Sequence, residues 1–406
     1  MHRKSITPYL LTIAIAIALI GLTIGNFYLS EKVHVRDEFA GRWMAAGLWL
    51  NEGLSPYSDE VTVQAQSILE KRGYDTRFVN DVRFIEPAYN LMLYLPLSFL
   101  SFNTARAIWL TLIELAIGAS IFFSIKLIGW KLRPVEMILL IVFSLLWYPG
   151  LKSILFGSPT PINIFIIILA IYLLLNKQDA PAGFLLASVF ISIEISLLLT
   201  IYLIVWSLSQ KRLSVLWSFL AGLAFLGVIS LILFPGWFAE WFRVFLIVNP
   251  GFSWINTPLM RIAKALPGIE TLLLYVLHIG VFLYMLYEWF TVLDKTGKPF
   301  VWKTLLTLLL IYLFNTRSQA AYLAILLPAL FLIFRFWSQR WRIFGKIAMW
   351  VVILSFGIGY WFVFFEKGGW FLPDPSVIIL LLPLVVFIGL NWIRWWALSQ
   401  PDLLYK

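Results

Sequence analysis

The chain of 406 residues contains no cysteine, three histidines and few charged residues, 13% in all. Without cysteine, thiol catalysis, thiolate metal sites and redox roles are excluded. His2, His34 and His278 lie far apart and form no His-x-x-His or His-Glu-x-x-His pattern, so no zinc site is expected. The charge content is about half that of ordinary soluble domains. This excludes a cytosolic enzyme and a nucleic-acid-binding module.

The common phosphate-binding and nucleophile motifs are also missing. The sequence has no Walker-type loop, no GxGxxG, no GxSxG and no Asp-x-Asp. These absences disfavour ATP-driven transport and a soluble domain that clamps a nucleotide-sugar through a metal. We therefore predict no cofactor and no metal ligands, while a requirement for a divalent ion stays open.

What the chain has instead is apolar sequence: 61% of the residues are hydrophobic and the mean hydropathy is +0.88. A membrane span needs about 20 apolar residues, and the first such block is 8–29, too long for a signal-peptide core. The later apolar blocks lie at about 87–102, 104–126, 135–150, 160–176, 181–208, 213–234, 270–290, 300–314, 319–334, 347–365 and 376–393.

These blocks predict an all-α, polytopic membrane helical bundle, a single integral membrane domain covering 1–406. We expect about ten full spans plus half-membrane segments, in about 11–13 helical segments. The net charge of +10 comes from basic loops, and basic loops stay in the cytoplasm. This orientation places both termini on the cytoplasmic side of the plasma membrane. The loops 30–85 and 235–269 then lie on its outer side. The orientation requires that one block between 87 and 126 does not cross, and that 181–208 forms a half-membrane hairpin or returns to its own side.

The 30–85 loop is predicted to carry interfacial amphipathic helices. Its apolar residues recur at helical spacing, at Phe39, Trp43, Ala46, Leu50 and Leu54. The segment from Gly53 to Tyr57 contains Pro56, which cannot continue the helix. Ser58 is then placed to cap a second short helix running to about Lys71.

Asp37 and Glu38, just outside the first span, are the first candidates for chemistry. Either could serve as a general base at the edge of a low-dielectric cavity. The alternative is an acidic pair that favours the positive end of a helix. Adjacent helical residues diverge by about 100°, so at most one of the two can point into a cavity.

Cations on the predicted outer side are the second set of candidates. Arg317 lies in a short polar break between two spans, where it either binds phosphate oxygens or extends to lipid headgroups. Arg261 and Lys264 lie in the 235–269 loop together with several tryptophans, which suits sugar or lipid-phosphate binding as well as interfacial anchoring. Three ionisable residues fall inside apolar blocks: Glu114, Glu194 and His278. A charge is costly there, so each of these residues either has a functional role or forms a hydrogen bond to a neighbouring helix.

Several short motifs resemble those of membrane glycosyltransferases of the GT-C superfamily, most closely glycosyltransferase family 87. They are Glu38-Phe39, Glu52-Gly53-Leu54-Ser55-Pro56-Tyr57, Glu86-Pro87-Ala88-Tyr89, Ala105-Arg106-Ala107-Ile108-Trp109, Thr316-Arg317-Ser318-Gln319-Ala320-Ala321-Tyr322 and Trp392-Ile393-Arg394-Trp395-Trp396-Ala397. Their order and spacing cover the chain from end to end.

The resemblance implies an inverting transfer of a sugar from a polyprenyl-phosphate donor to a lipid, glycan or protein hydroxyl on the outer face of the membrane. The base then falls on Asp37 by residue type or on Glu38 by register, with Asp37 placed slightly first. Arg317, Arg261 and Lys264 would bind the donor phosphate. The expected cavity-lining residues are Tyr57, Trp43, Glu194 and His278.

Besides reading Asp37-Glu38-Phe39 where the family has Asp-Phe, the chain departs from the family pattern at two further places. It has Gly157-Ser158 where many members have Gly-Gln, and Ser192-Ile193-Glu194 where many have Lys-Pro-Gln. The second change removes a phosphate-binding lysine, so the three cations above would have to supply the charge. Two alternatives therefore stand beside the transferase: a transporter or flippase for a lipid-linked saccharide, and a catalytically inactive relative.

Overall fold

The computed structural model describes residues 7–76, 82–189, 193–248, 257–316, 319–367 and 375–398. Throughout these ranges the regular secondary structure is helical, which confirms the all-α class. Six of their helices are long and apolar enough to cross a membrane, or seven if one bent pair counts as a single span. The predicted total of about ten spans stays a prediction. The chain divides into two compact units, which are described separately.

The first unit comprises residues 1–115 and 153–159. Its helices are α1 (Thr7–Lys32), α2 (Phe39–Glu52), α3 (Asp59–Lys71), α4 (Leu91–Ser98) and the first half of α5 (Phe102–Leu127), with a 3-10 turn at Ala88–Asn90. At 1.5 Å per residue, the eight residues of α4 are about 12 Å long, whereas the 26 of α5 are about 39 Å. By length and composition α5 can cross a membrane, whereas α4 alone is too short to do so, and the prediction that one of these two blocks does not cross stays a prediction.

The caps of α2 and α3 confirm the helix boundaries predicted in the 30–85 loop. α2 ends at Gly53, whose φ of +66° is left-handed and whose N–H donates to the Trp49 carbonyl. The Ser58 hydroxyl accepts a hydrogen bond from the N–H of Val61 and caps α3. The buried face of α2 differs from the predicted apolar stripe. Leu50 is 42% exposed, while Gly41 and Ala45 are buried, because the helix packs against both α3 and α4.

The second unit comprises residues 116–152 and 160–406. Its helices after α5 are α6 (Pro134–Leu146), α7 (Tyr148–Leu155), α8 (Thr160–Leu175), α9 (Asp179–Ser188), α10 (Ile193–Ser209), α11 (Leu213–Leu233), α12 (Trp237–Val248), α13 (Pro258–Ala263), α14 (Glu270–Phe290), α15 (Lys298–Leu313), α16 (Leu327–Arg340), α17 (Arg342–Lys367) and α18 (Ser376–Ile393). A 3-10 segment, Ala320–Leu326, leads directly into α16. The helices α6 and α7 meet at a bend of 60°.

Burial within the second unit separates its core from its lipid-facing helices. Nearly every residue of α15 and of the 320–336 segment is buried. By contrast, α11, α14 and α17 expose large apolar side chains such as Ile232 (75%), Leu272 (66%) and Ile358 (68%). Apolar side chains this exposed are expected where the neighbouring medium is lipid rather than water.

The apolar block 181–208 does not form one continuous helix, and the half-membrane hairpin expected there stays a prediction. It forms α9 and α10, and the ten residues of α9 are about 15 Å long, too short to cross. α9 packs closely on α11: a Cβ added to Gly183 would lie 2.3 Å from the Val215 carbonyl oxygen. Small residues permit such close approach between helices in membranes. The 235–269 loop contributes α12 and α13, and its residues 249–256 lie outside the described ranges.

We predict that Gly41→Ala destabilises the first unit, because its new Cβ would lie 1.5 Å from the backbone oxygen of Val82, which cannot yield as a side chain can. Overpacking of this kind costs about 1–3 kcal/mol. The control is Gly47→Ala on the same helix, whose Cβ would meet only Ser98 Cβ at 3.8 Å. It should be neutral or stabilising, because alanine favours helix over glycine. The melting temperatures of both variants are measured by thermal unfolding in detergent. Equal melting temperatures for Gly41→Ala and Gly47→Ala would contradict the close packing of Gly41 against Val82.

Candidate functional site

A buried ion pair joins Asp37 to Arg106 in the first unit. Asp37 lies in the segment between α1 and α2, and Arg106 lies near the start of α5. The Nε of Arg106 is 2.5 Å from Asp37 Oδ2, and both side chains are fully buried. The other carboxylate oxygen, Oδ1, accepts the N–H of Ala40 at 2.7 Å. Asp37 therefore neutralises Arg106 and also satisfies a free N–H at the start of α2.

The remaining donors of Arg106 bind two other parts of the unit. Its Nη1 donates to Ser30 Oγ at 3.1 Å, and its Nη2 donates to the Leu155 carbonyl at 2.7 Å. A buried charge is tolerated when it is paired and its hydrogen bonds are made, and Arg106 meets both conditions. One guanidinium thereby connects the end of α1, the start of α2, α5 and the 153–159 segment.

Glu38 lies beside this pair but differs from Asp37 in its accessibility. It is partly buried, whereas Asp37 is 1% exposed. The Glu38 N–H donates to the Phe156 carbonyl at 2.7 Å, and its own carbonyl accepts from Arg42 Nη1. The backbone of Glu38 is therefore held from both sides. Of the two predicted carboxylates, that of Asp37 is fully buried in an ion pair, whereas that of Glu38 belongs to a residue that keeps part of its surface exposed.

Arg42, one turn into α2, forms a second buried ion pair with Glu86, with Nε 2.6 Å from Oε1. Burial by itself lowers the pKa of Arg42, but the charges of Glu86 and Glu38 outweigh it and hold that pKa above its usual value. Arg42 therefore stays charged between two carboxylates. Neither Arg42 nor Arg106 was predicted from the sequence to be a site residue.

Two buried polar atoms, one of them on Glu86 itself, lack a hydrogen-bond partner within the described ranges. They are Glu86 Oε2, an acceptor, and Asn90 Nδ2, a donor. Buried polar side-chain atoms are nearly always hydrogen-bonded in folded proteins, so such atoms indicate a place where a polar ligand or water binds. Glu86 and Asn90 belong to one short stretch, immediately before α4.

Tyr57 and Trp43, predicted to line a cavity, donate to backbone carbonyls of the first unit. The Tyr57 hydroxyl donates to Glu86 O at 2.9 Å, and the residue is fully buried. The Trp43 indole donates to Leu97 O at 3.0 Å, and the residue is partly exposed. Burial also raises the pKa of nearby Tyr74 to about 12, so its hydroxyl stays protonated and donates to Ser30 O at 3.2 Å.

The other predicted site residues belong to the second unit. His278 is buried in α14, with its Nδ1 hydrogen-bonded to the Leu274 carbonyl. Arg261 is partly buried at the end of α13, and Lys264 follows it and is exposed. Arg317 lies outside the described residues, and the side chain of Glu194, in the first turn of α10, also lies outside them.

Glu114, another predicted intramembrane residue, lies in the first unit on α5. It accepts a hydrogen bond from Asn26 Nδ2 of α1 at 2.8 Å, and the same nitrogen is 3.1 Å from Thr111 Oγ1. This is the interhelical hydrogen bonding that the sequence left open for this residue. It holds α1 against α5 within their apolar stretches.

The second unit contains a buried charge cluster that sequence analysis missed. Glu288 at the end of α14 is bound by Lys303 of α15 and by Arg394 after α18. A signal was available for these residues and for Arg106: each is a charge within or beside an apolar block, and such charges need a partner. Within the described ranges no three His, Asp or Glu side chains group as metal ligands would.

No family model, no characterised protein and no solved structure matches the chain. The likeness to GT-C glycosyltransferases therefore stays an expectation from short motifs.

We predict that breaking the Asp37–Arg106 pair from either side destabilises the protein strongly. Asp37→Asn leaves a buried guanidinium without its counter-charge, and Arg106→Gln leaves a buried carboxylate without one, at about 3–5 kcal/mol each. The double variant removes both charges. Its loss of unfolding free energy should be clearly smaller than the sum of the losses in the two single variants. Unfolding free energies of the four proteins, measured in detergent, form the test. Additive losses would show that the two residues do not interact.

Proposed function

We propose that the protein transfers a sugar from a polyprenyl-phosphate donor to a hydroxyl acceptor, with inversion at the anomeric carbon. The acceptor would be the hydroxyl of a glycolipid, a glycan or a protein. The reaction would take place at the outer face of the plasma membrane, with both termini in the cytoplasm. The observation that supports it best is a partly buried carboxylate, Glu38, whose backbone is held between two buried ion pairs just after the first apolar helix.

In this proposal Glu38 is the general base and Asp37 is a positioning residue. A base must come within hydrogen-bonding reach of the proton that it removes, and the carboxylate of Asp37 is occupied by Arg106 and the N–H of Ala40. This reverses the slight preference for Asp37. As the acceptor oxygen attacks the anomeric carbon, its proton passes to Glu38 and the bond to the lipid phosphate breaks.

Hydroxyl groups of a sugar suit two buried polar atoms of the stretch before α4. Glu86 Oε2 can accept from a hydroxyl and Asn90 Nδ2 can donate to one, and both are buried without a described partner. A site built to hydrogen-bond a hydroxyl discriminates strongly against analogues that lack it. These two residues are therefore our candidates for sugar recognition, an assignment that sequence analysis did not reach.

Departure of the lipid phosphate requires positive charge near the leaving oxygens. Arg317, Arg261 and Lys264 remain the residues proposed for this step. The donor is itself a lipid, so no soluble nucleotide-binding domain is required. Sideways access from the bilayer would bring the phosphate to the site.

Glu38→Gln should lower the rate of sugar transfer by about 10²–10⁴-fold, because the amide cannot accept the proton. The matched control is Glu52→Gln, an exposed carboxylate at the other end of α2 that should transfer at the wild-type rate. The assay follows release of free polyprenyl phosphate from a panel of polyprenyl-phosphate sugars by purified protein in lipid. Undiminished transfer by Glu38→Gln would reject the base assignment, and no transfer by wild type with any donor would reject the function.

A second candidate is transport of a lipid-linked saccharide across the bilayer. Buried charges within apolar helices often mark transport pathways, and Glu288 with Lys303 is such a pair in the second unit. Proteoliposomes distinguish the two functions. Movement of a labelled polyprenyl-linked sugar between leaflets without cleavage would favour transport, whereas cleavage that depends on Glu38 would favour transfer.

A further inference from the structure

A cluster of tryptophans surrounds Arg340 at the end of α16. The Arg340 guanidinium carbon lies 3.9 Å from the ring centroid of Trp396, 5.5 Å from that of Trp392 and 5.9 Å from that of Trp341. We call these four residues the Arg340 cage. Stacking of this kind is attractive because the ring faces are electron-rich.

The tryptophans of the cage also contact one another. The rings of Trp392 and Trp396 are nearly parallel, with centroids 5.8 Å apart, and Trp341 lies 5.6 Å from Trp392. Trp337 extends the row from Trp341 at 6.0 Å. The row joins the end of α16 to the turn that follows α18.

Stacking uses the face of the guanidinium and leaves its N–H donors free in the plane. Arginine carries five such donors in a fixed fork that fits a phosphate. Arg340 is exposed and makes no hydrogen bond or ion pair with any residue in the described ranges. The indole N–H groups of Trp341 and Trp392 likewise donate to no described residue. The cage therefore presents several donors and no acceptor of its own.

The charges around the cage leave it positive. Arg342 follows it, exposed and without an ion pair in the part of the chain that is described. The neighbouring acidic groups are engaged elsewhere: Glu288 binds Arg394, and Glu136 binds Lys346. Among the described residues no carboxylate forms an ion pair with Arg340 or Arg342, and an anion is the complementary ligand.

Exposed apolar side chains adjoin these cations. Ile343 and Phe344 are 73% and 80% exposed, and Trp395 is 76% exposed. A free inorganic anion has no apolar surface to bury against these side chains, whereas a phospholipid carries both a phosphate and acyl chains. This combination of fork donors and exposed apolar groups fits an amphiphilic anion.

We propose that the Arg340 cage binds the phosphodiester of an anionic phospholipid. The in-plane donors of Arg340 hold the phosphate oxygens, the indole N–H groups of Trp341 and Trp392 add donors, and Arg342 contributes charge. The acyl chains lie along Ile343 and Phe344. Anionic lipids are enriched on the cytoplasmic leaflet, the side to which the basic loops are assigned.

The test is a thermal-unfolding titration of purified protein in neutral detergent with phosphatidylglycerol, phosphatidylcholine or inorganic phosphate. We expect phosphatidylglycerol to raise the melting temperature of the wild type most. Arg340→Gln should shift the half-saturating phosphatidylglycerol concentration upward by about tenfold, the loss of one charge-assisted hydrogen-bonding group. Lys131→Gln, an exposed basic side chain in another loop, is the control and should bind as the wild type does.

Two further variants separate the cage from charge alone. Arg340→Lys keeps the charge but loses the fork and the flat stacking face, so its affinity should fall between those of wild type and Arg340→Gln. Trp396→Leu removes the closest ring while leaving Arg340 in place, and it should weaken lipid binding. It replaces Arg340→Gln as the test variant if Arg340→Gln does not fold. If Arg340→Lys and Trp396→Leu both bind phosphatidylglycerol with wild-type affinity, the cage is not the binding site. Equal stabilisation by phosphatidylcholine, or by inorganic phosphate, would overturn the assignment to an anionic lipid.

Discussion

The first unit depends on the buried pair of Asp37 and Arg106. A guanidinium in an apolar helix would be costly by itself, and its counter-charge comes from a residue 69 positions earlier. Once the pair forms, the other donors of Arg106 engage Ser30 and Leu155, and the carboxylate of Asp37 engages the start of α2. Four chain segments are thus oriented by one ion pair, which apolar packing, being non-directional, could not achieve.

The ion pair of Asp37 also affects the next residue, Glu38. Since Asp37 supplies the fixed charge, Glu38 can remain accessible while its backbone is held by Phe156 and Arg42. The two residues differ in burial although they are neighbours in the segment before α2, because Asp37 faces Arg106 in the interior of the unit. A general base gains from such positioning, since a rigid backbone reduces the freedom lost when the substrate binds.

Charged and aromatic side chains organise the second unit in a similar way. Glu288 binds Lys303 and Arg394, and the Trp302 indole between those two cations donates to the Leu390 carbonyl at 3.0 Å. In a bilayer, helices gain little from burying apolar surface against each other, so specific polar contacts and close packing decide which helices meet. The helices α11, α14 and α17 also present large apolar side chains that no other part of the unit covers.

Sequence alone determined the features that rest on local chemistry. The apolar blocks at 270–290 and 376–393 coincide with α14 and α18, and the caps at Gly53 and Ser58 occur where turn and capping residues predict them. Only the tertiary structure decided that Asp37 pairs with Arg106 and that α2 buries Gly41 rather than Leu50. The physical reason is range: caps and helix lengths depend on a few neighbouring residues, whereas a helix that is apolar on every side carries no pattern to say which face meets protein and which meets lipid.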